Sequence, residues 1–171
     1  MIREPYHIVK MPDDSVTMDT QLPTDTRLPI PALLMTAKSA AIQEVTERLA
    51  EHGYEGVREG HGCVFGFIEP TGSRLTFLAE SSGLTKQAVG EAVDDLQRLG
   101  YVERAPDPTD GRAKIVRLTP RGAEAQAIGR SALADVERRW AEELGEERVT
   151  AMRATLEEIH ELLIGRAPNP A

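Results

Sequence analysis

The sequence predicts a mainly α-helical fold with one small β-hairpin, an α+β arrangement in which short helices and the hairpin form a lobe between longer helices. Three observations predict it. Thr85 precedes a segment, Lys86 to Leu99, whose Val89, Val93, Leu96 and Leu99 share one face, the spacing of a half-buried helix. Tyr101-Val102-Glu103-Arg104 and Lys114-Ile115-Val116-Arg117-Leu118 read as strands, and the intervening Ala105 to Arg112 segment is rich in Pro, Asp, Thr and Gly, the residues that punctuate hairpins. Beyond them, Leu133, Val136, Trp140 and Leu144, then Val149, Met152, Leu156, Ile159 and Leu163, recur at three- and four-residue intervals on either side of Gly145.

Taken in order, residues 1–29 hold Pro5, Pro12, Pro23 and Pro29 with no sustained periodicity, and are expected to form an extended or mobile arm. Pro31 suits a first helical turn, where its missing N–H costs nothing. Leu34, Ala37, Ala41, Val45 and Leu49 mark one face of the helix it starts, which runs until Gly53. A second, shorter helix is expected to carry His61, Val64, Phe65 and Ile68 and to close at Pro70 and Gly72. Its glycines at 60, 62 and 66 either weaken it or permit close backbone packing. Thr76 is the expected cap of a short helix around Phe77 to Glu80 that stops at Gly83, and Thr85 caps the next, which Gly100 ends. A helix, a turn through Gly83 and a second amphipathic helix is a helix-turn-helix; a hairpin after it is a wing. Thr119-Pro120 supplies a cap and a first-turn proline for the following helix, and a last helix ends at Gly165. The resulting division is an arm over 1–29, helices over 30–70, the winged lobe over 71–122, helices over 123–165 and a tail over 166–171.

The chain has 171 residues, 28 acidic and 20 basic side chains and a formal charge of −8. The single cysteine, Cys63, leaves no intramolecular disulfide, and no apolar run approaches the ~20 residues of a membrane span. A cytoplasmic protein is expected. The acidity alone points away from nucleic acid, but it is not evenly spread. Residues 1–60 and 131–171 each carry a net −4, whereas residues 61–130 are neutral and the segment from Arg104 to Arg121 has a net +3.

The motifs resemble those of the MarR family of bacterial transcription regulators. The similarity lies in Leu78-Ala79-Glu80, Gly83-Leu84-Thr85-Lys86-Gln87-Ala88-Val89, Val93-Asp94-Asp95-Leu96 and Leu99-Gly100-Tyr101-Val102. It continues in Asp107-Pro108-Thr109-Asp110-Gly111-Arg112-Ala113-Lys114 and Leu118-Thr119-Pro120-Arg121-Gly122. The resemblance implies a homodimer, with the N- and C-terminal helices as dimerisation elements and one winged lobe per protomer reading double-stranded DNA. Many such proteins lose DNA affinity when a small molecule, metal or oxidant acts near the junction of the two regions; a repressor on a pseudo-palindromic operator, released by a small-molecule effector, is expected here, with no cofactor and no metal.

On that reading the helix from Lys86 enters a major groove by its N-terminal residues. Thr85 meets a phosphate, Lys86 reaches guanine or phosphate, and the amide of Gln87 has the geometry to pair with adenine. Gly90 offers no side-chain contact but lets the backbone approach. Arg112 is placed in the minor groove, where a narrow A·T tract concentrates negative potential. Asp110 is expected to orient it by pairing with its guanidinium. Lys114 and Arg74 are assigned to backbone phosphate. His61, Val64 and Phe65 are the expected lining of an effector cleft between the helices and the lobe.

Cys63, near His61 and His52, admits a redox thiol or a metal ligand set; the competing reading is a small buried hydrophobe beside a hydrogen-bonded histidine. Two other functional classes compete. One is a winged helix used for protein interaction through its acidic surface. The other is an enzyme, such as a methyltransferase, that uses a winged lobe only to dimerise. The chain shows no glycine-rich cofactor loop, nucleophile elbow or spaced metal set, so a non-enzyme is expected.

Overall fold

The structure, a computed structural model, describes residues 27–164. Residues 1–26 of the expected arm over 1–29, the stop at Gly165 and the tail over 166–171 lie outside the described residues. Helix α1 spans Ile30–Glu51 with Pro31 in its first turn. A 3₁₀ turn, Glu59–His61, leads into the short helix α2, Gly62–Phe65. Strand β1 (Ser73–Arg74), α3 (Leu75–Ser82) and α4 (Lys86–Arg98) follow. Strands β2 (Val102–Asp107) and β3 (Asp110–Leu118) form the hairpin. Helices α5 (Pro120–Leu144) and α6 (Glu146–Ile164) complete the described residues.

Local signals account for the breaks. The hydroxyl of Thr85 accepts from the Ala88 amide at 3.2 Å and that of Thr119 from the Gly122 amide at 3.0 Å, so both caps form as the side chains dictate. Gly83 ends α3 in the left-handed region, φ +68°, which only glycine enters without cost. That single residue sets the angle between α3 and α4.

Elsewhere pairing overrides local reading. Ser73 and Arg74 add a third, short strand opposite Val116 and Ile115, giving the antiparallel order β1-β3-β2. Because Arg74 is held extended, it becomes the residue before α3; Thr76 therefore lies inside the helix and caps nothing. The wing is longer than the strand signals suggest, since Pro106 pairs opposite Lys114 and only Pro108 and Thr109 remain between the strands. β2 is an edge strand, where one side of the ladder has no partner and a proline is tolerated. The second helix is shorter than expected, ending at Phe65 rather than near Pro70. A side chain at Gly60 or Gly62 would meet nothing, whereas one at Gly66 would lie 2.9 Å from the Gly62 carbonyl oxygen. At 60 and 62 glycine weakens the helix without serving packing.

One core joins the lobe to the long helices. Val64, Leu78, Val89, Val93, Leu96 and Tyr101 are fully buried, with Leu49 of α1 and Ala125 of α5 against them; each large aliphatic side chain contributes roughly 2 kcal/mol by leaving water. Tyr101 donates its hydroxyl to the Glu55 carbonyl at 2.9 Å, and the Thr119 amide donates to the Tyr101 carbonyl at 3.0 Å. That carbonyl lies so close to α5 that a Cβ on Gly122 would sit 1.8 Å from it. Helices α1 and α5 run against each other, bridged by Arg48–Asp135 and Arg139–Glu44. Trp140 of α5 faces Val149, Met152 and Leu156 of α6 across a cleft. Ile30, Leu33 and Met35 at the start of α1, and Ile159, Leu162 and Leu163 at the end of α6, remain exposed.

Candidate nucleic-acid interface

The turn at Gly83 leaves the first turn of α4 outermost on the lobe, with Thr85, Lys86 and Gln87 all exposed. Val89, Val93 and Leu96 point the opposite way, into the core, so burial of one face fixes which residues the other presents. No ion pair engages the Lys86 ammonium among the described residues. The Gln87 amide donates to Glu91 at 3.1 Å, which orients it along the helix. Gly90 is half-buried, with Leu75 Cδ2 3.9 Å from where a Cβ would lie. Further along, Asp94 and Gln97 are both taken by Arg104 of β2, at 2.7 and 2.8 Å. That clamp joins the helix to the wing and leaves the N-terminal end of α4 exposed.

At the wing, Arg112 and Lys114 are exposed and have no ion-pair partner among the described residues. The wing is shaped by Asp107, which is buried although charged. It accepts from the Thr109 hydroxyl at 2.7 Å, the Thr109 amide at 2.8 Å and Arg74 Nε at 2.7 Å. The Thr109 hydrogen bonds, with the Arg74 guanidinium behind them, hold this carboxyl well below the usual carboxylate range. One expectation is corrected here. Asp110 accepts from the Arg112 backbone amide at 3.1 Å and lies 3.8 Å from Arg74, so it shapes the turn rather than gripping the Arg112 guanidinium. Arg74, expected at a phosphate, donates its Nε to Asp107 and braces the wing from β1, with its side chain half-exposed. Both carboxylates accept within the turn itself, as short acidic side chains in tight turns do.

A cavity of about 330 Å³ opens between α1, α5 and the lobe. Its wall is largely apolar, with Ile42, Val45, Leu49, Val57, Phe65 and Leu133, and its polar groups include Arg58, Gln126 and Arg130. Of the three residues expected to line a cleft, Phe65 does so. Val64 is fully buried in the lobe core, and His61 turns toward α4, with Nδ1 accepting from the Arg58 amide at 3.1 Å and Nε2 3.3 Å from Asp95. Burial pushes the His61 pKa down. The side of α2 that each residue occupies follows from packing against α4, which periodicity over four residues does not reveal.

Cys63 is buried, donates to the Gly60 carbonyl at 3.1 Å, and has its thiol pKa pushed up by burial. His52 bonds the Arg48 carbonyl instead, at 2.8 Å. No group of three or more metal-ligating side chains gathers among the described residues, and none of their helices is long and apolar enough to cross a membrane.

Against known proteins, a MarR family model matches residues 61–113, from α2 through the tip of the wing. The match covers the helix-turn-helix and most of the wing. Solved structures extend the likeness in fold beyond that segment. A MarR-family transcriptional regulator from Rhodococcus sp. RHA1 is 24% identical, with a TM-score of 0.62, over 77% of this chain and 93% of that one. CouR from Rhodococcus jostii RHA1, solved with p-coumaroyl-CoA, is 23% identical with a TM-score of 0.64, over 89% of this chain and 99% of its own. MarR of E. coli in its apo form is 19% identical with a TM-score of 0.58, over 78% and 98%. No curated protein matches the sequence. The MarR-type fold thus includes the long helices as well as the lobe.

Proposed function

We propose that the chain is a DNA-binding transcription regulator that acts as a homodimer, most simply as a repressor that occludes polymerase in the cytoplasm. The observation that carries this reading is the set of exposed cations at the start of α4 and on the wing. Lys86 at the start of α4 and Arg112 and Lys114 on the wing are exposed and have no ion pair among the described residues, whereas Arg104 between them is held by Asp94 and Arg74 at the wing's base by Asp107. A free helix start beside a basic hairpin fits a major groove and the adjoining minor groove. In this reading Thr85 and Lys114 contact phosphate, Lys86 and Gln87 meet base edges, Gly90 admits the backbone and Arg112 enters the minor groove. Arg74 and Asp110 support the wing from behind.

The exposed apolar residues of α1 and α6 are read as the dimer seam, so that residues 30–70 and 123–165 contribute dimerisation helices around the lobe at 71–122. A two-fold axis then places two copies of α4 about 34–36 Å apart on a pseudo-palindromic site. The cavity beside Phe65 is read as the effector site, in keeping with an apolar pocket carrying few polar anchors; CouR, similar in fold, was solved with a small molecule bound. Fluorescence anisotropy against duplexes selected from a random library, and against the DNA upstream of the chain's own gene, tests the proposal. Binding whose affinity falls steeply with salt is expected. No binding to any duplex at low salt would overturn it.

A further inference from the structure

The carboxylates of α4 do not share one environment. Asp94 is held by Arg104 at 2.7 Å, and Asp95, largely buried, meets Arg58 and Arg98. Glu91 is exposed and has no ion pair among the described residues. Its Oε1 accepts from Gln87 Nε2 at 3.1 Å, and its Oε2 has no hydrogen bond among the described residues. The two residues stand one turn apart, about 6 Å along the axis at 1.5 Å per residue, on the side of the helix opposite the buried Val89 and Val93. Neither packing nor charge neutralisation accounts for a carboxylate at this position.

On a helix that approaches phosphates, an unneutralised negative charge weakens binding to every sequence. Only donors facing it offset that repulsion, because an ionised Glu accepts hydrogen bonds and gives none. In the major groove those donors are the amino groups at cytosine N4 and adenine N6; guanine and thymine offer acceptors. Adenine's amino group stands beside the acceptor N7, so cytosine suits a carboxylate best of the four bases. Gln87 gives one amide hydrogen to Glu91 and keeps the other together with its Oε1, the pair that adenine N7 and N6 require. The bond to Glu91 also holds that amide against flipping. We propose that Glu91 is a specificity-determining residue of α4, whose carboxylate takes the N4 amino group of a cytosine beside the adenine that Gln87 reads. The same charge lowers affinity for all other DNA. This deepens the proposed function and rests on α4 being the reading helix.

The test uses the full chain. Duplexes are selected from a random library with the wild type, Glu91→Ala and Glu91→Gln. Anisotropy is then read on the selected duplex, on its single-base-pair variants and on a duplex of unrelated sequence. The wild type should select a C·G pair next to an A·T pair, and replacing that cytosine by any other base should weaken binding about tenfold. Glu91→Ala should lose the cytosine preference and bind the unrelated duplex several-fold more tightly, a gain that shrinks as salt rises. Glu91→Gln should move the preferred base from cytosine to adenine, because an amide pairs with N6 and N7 together. On the selected duplex, the losses from Gln87→Ala and Glu91→Ala should be less than additive in the double variant, since the two side chains are bonded. Both Glu91 variants should melt close to the wild type, the side chain being exposed. A selected site without the cytosine, the same base preferences in both variants, or additive losses would each overturn the inference. So would a Glu91→Ala chain that melts well below the wild type and loses affinity equally on every duplex, which is the mark of a structural role. A wild type that binds no duplex overturns the DNA reading and this inference together. A wild type that selects a defined site, with Glu91 variants that select the same one, overturns this inference alone.

Discussion

Arg74 Nε donates to Asp107 Oδ2 at 2.7 Å, so the two-residue strand before α3 grips the far end of β2, 33 residues away. The wing's base is thereby fixed to the start of the helix-turn-helix, and its tip follows α3 and α4 rather than swinging alone. The contact also carries a pH signature. The Asp107 carboxyl sits below its ordinary value of 3.8, so just below that pH the native state binds fewer protons than the unfolded chain. Its stabilisation is complete above about pH 5 and is lost as pH falls through 3.8 and lower. Asp107→Asn should therefore melt below the wild type at pH 7, with the gap closing between about pH 5 and 2. A gap that stays constant across that range would contradict this account.

The approach of Tyr101 to Gly122 leaves no room for a methyl group. Gly122→Ala should destabilise by about 3 kcal/mol, since the atoms it would meet are all backbone of Tyr101 and cannot step aside. Urea unfolding checks this. Gly60→Ala, where a Cβ meets open space, serves as the control and should cost little.

Arg112 and Gln87 should fail in different ways. Arg112→Ala is expected to lower affinity for all duplexes and to reduce the salt slope by about one. Gln87→Ala should cost about 1–3 kcal/mol on the preferred site and little on non-specific DNA, because it removes a base-edge contact. Anisotropy titrations over a salt series separate the two; equal effects on all sequences from both changes would contradict the assigned roles.

The open apolar ends of α1 and α6 predict assembly. Ile159→Glu combined with Leu162→Glu should convert a dimer to a monomer at micromolar concentration by light scattering, since a charge in an apolar seam is not solvated. A wild type that is already monomeric would refute the seam.

Features set by a residue and its near neighbours were legible in the sequence. Thr85 and Thr119 cap helices, and Gly83 takes the left-handed turn, because each act involves groups within four residues. The spacing of Val89, Val93 and Leu96 told which face of α4 is buried, and so which is free. What was not legible depends on pairing across the chain. Ser73 and Arg74 are too few to show a strand pattern; only Ile115 and Val116 make them one. Asp110 and Arg112 stand two apart and look like partners, yet a third residue, Arg74, comes from another strand. The cavity wall is drawn from α1, the α1–α2 linker and α5, so Arg58 and Arg130 carry no local sign of meeting there. His61 and Val64 lie away from the cavity for a related reason. A helix of one turn does not reveal its inward side until α4 is packed against it.

The Thr119 hydroxyl does double duty at the seam between lobe and long helix. Besides capping α5, it donates to the Gly100 carbonyl at 2.7 Å, just past the end of α4. Lobe and the start of α5 are thus tied together by the hydroxyl and amide of Thr119. Helix α5, 25 residues long, is then a rigid arm of about 37 Å at 1.5 Å per residue. A tilt of about 5° at its far end would carry the lobe roughly 3 Å, close to the 3.4 Å rise of one base pair. In the proposed dimer, small movements where the two copies meet would therefore be magnified into a mismatch of about one base-pair step at the DNA.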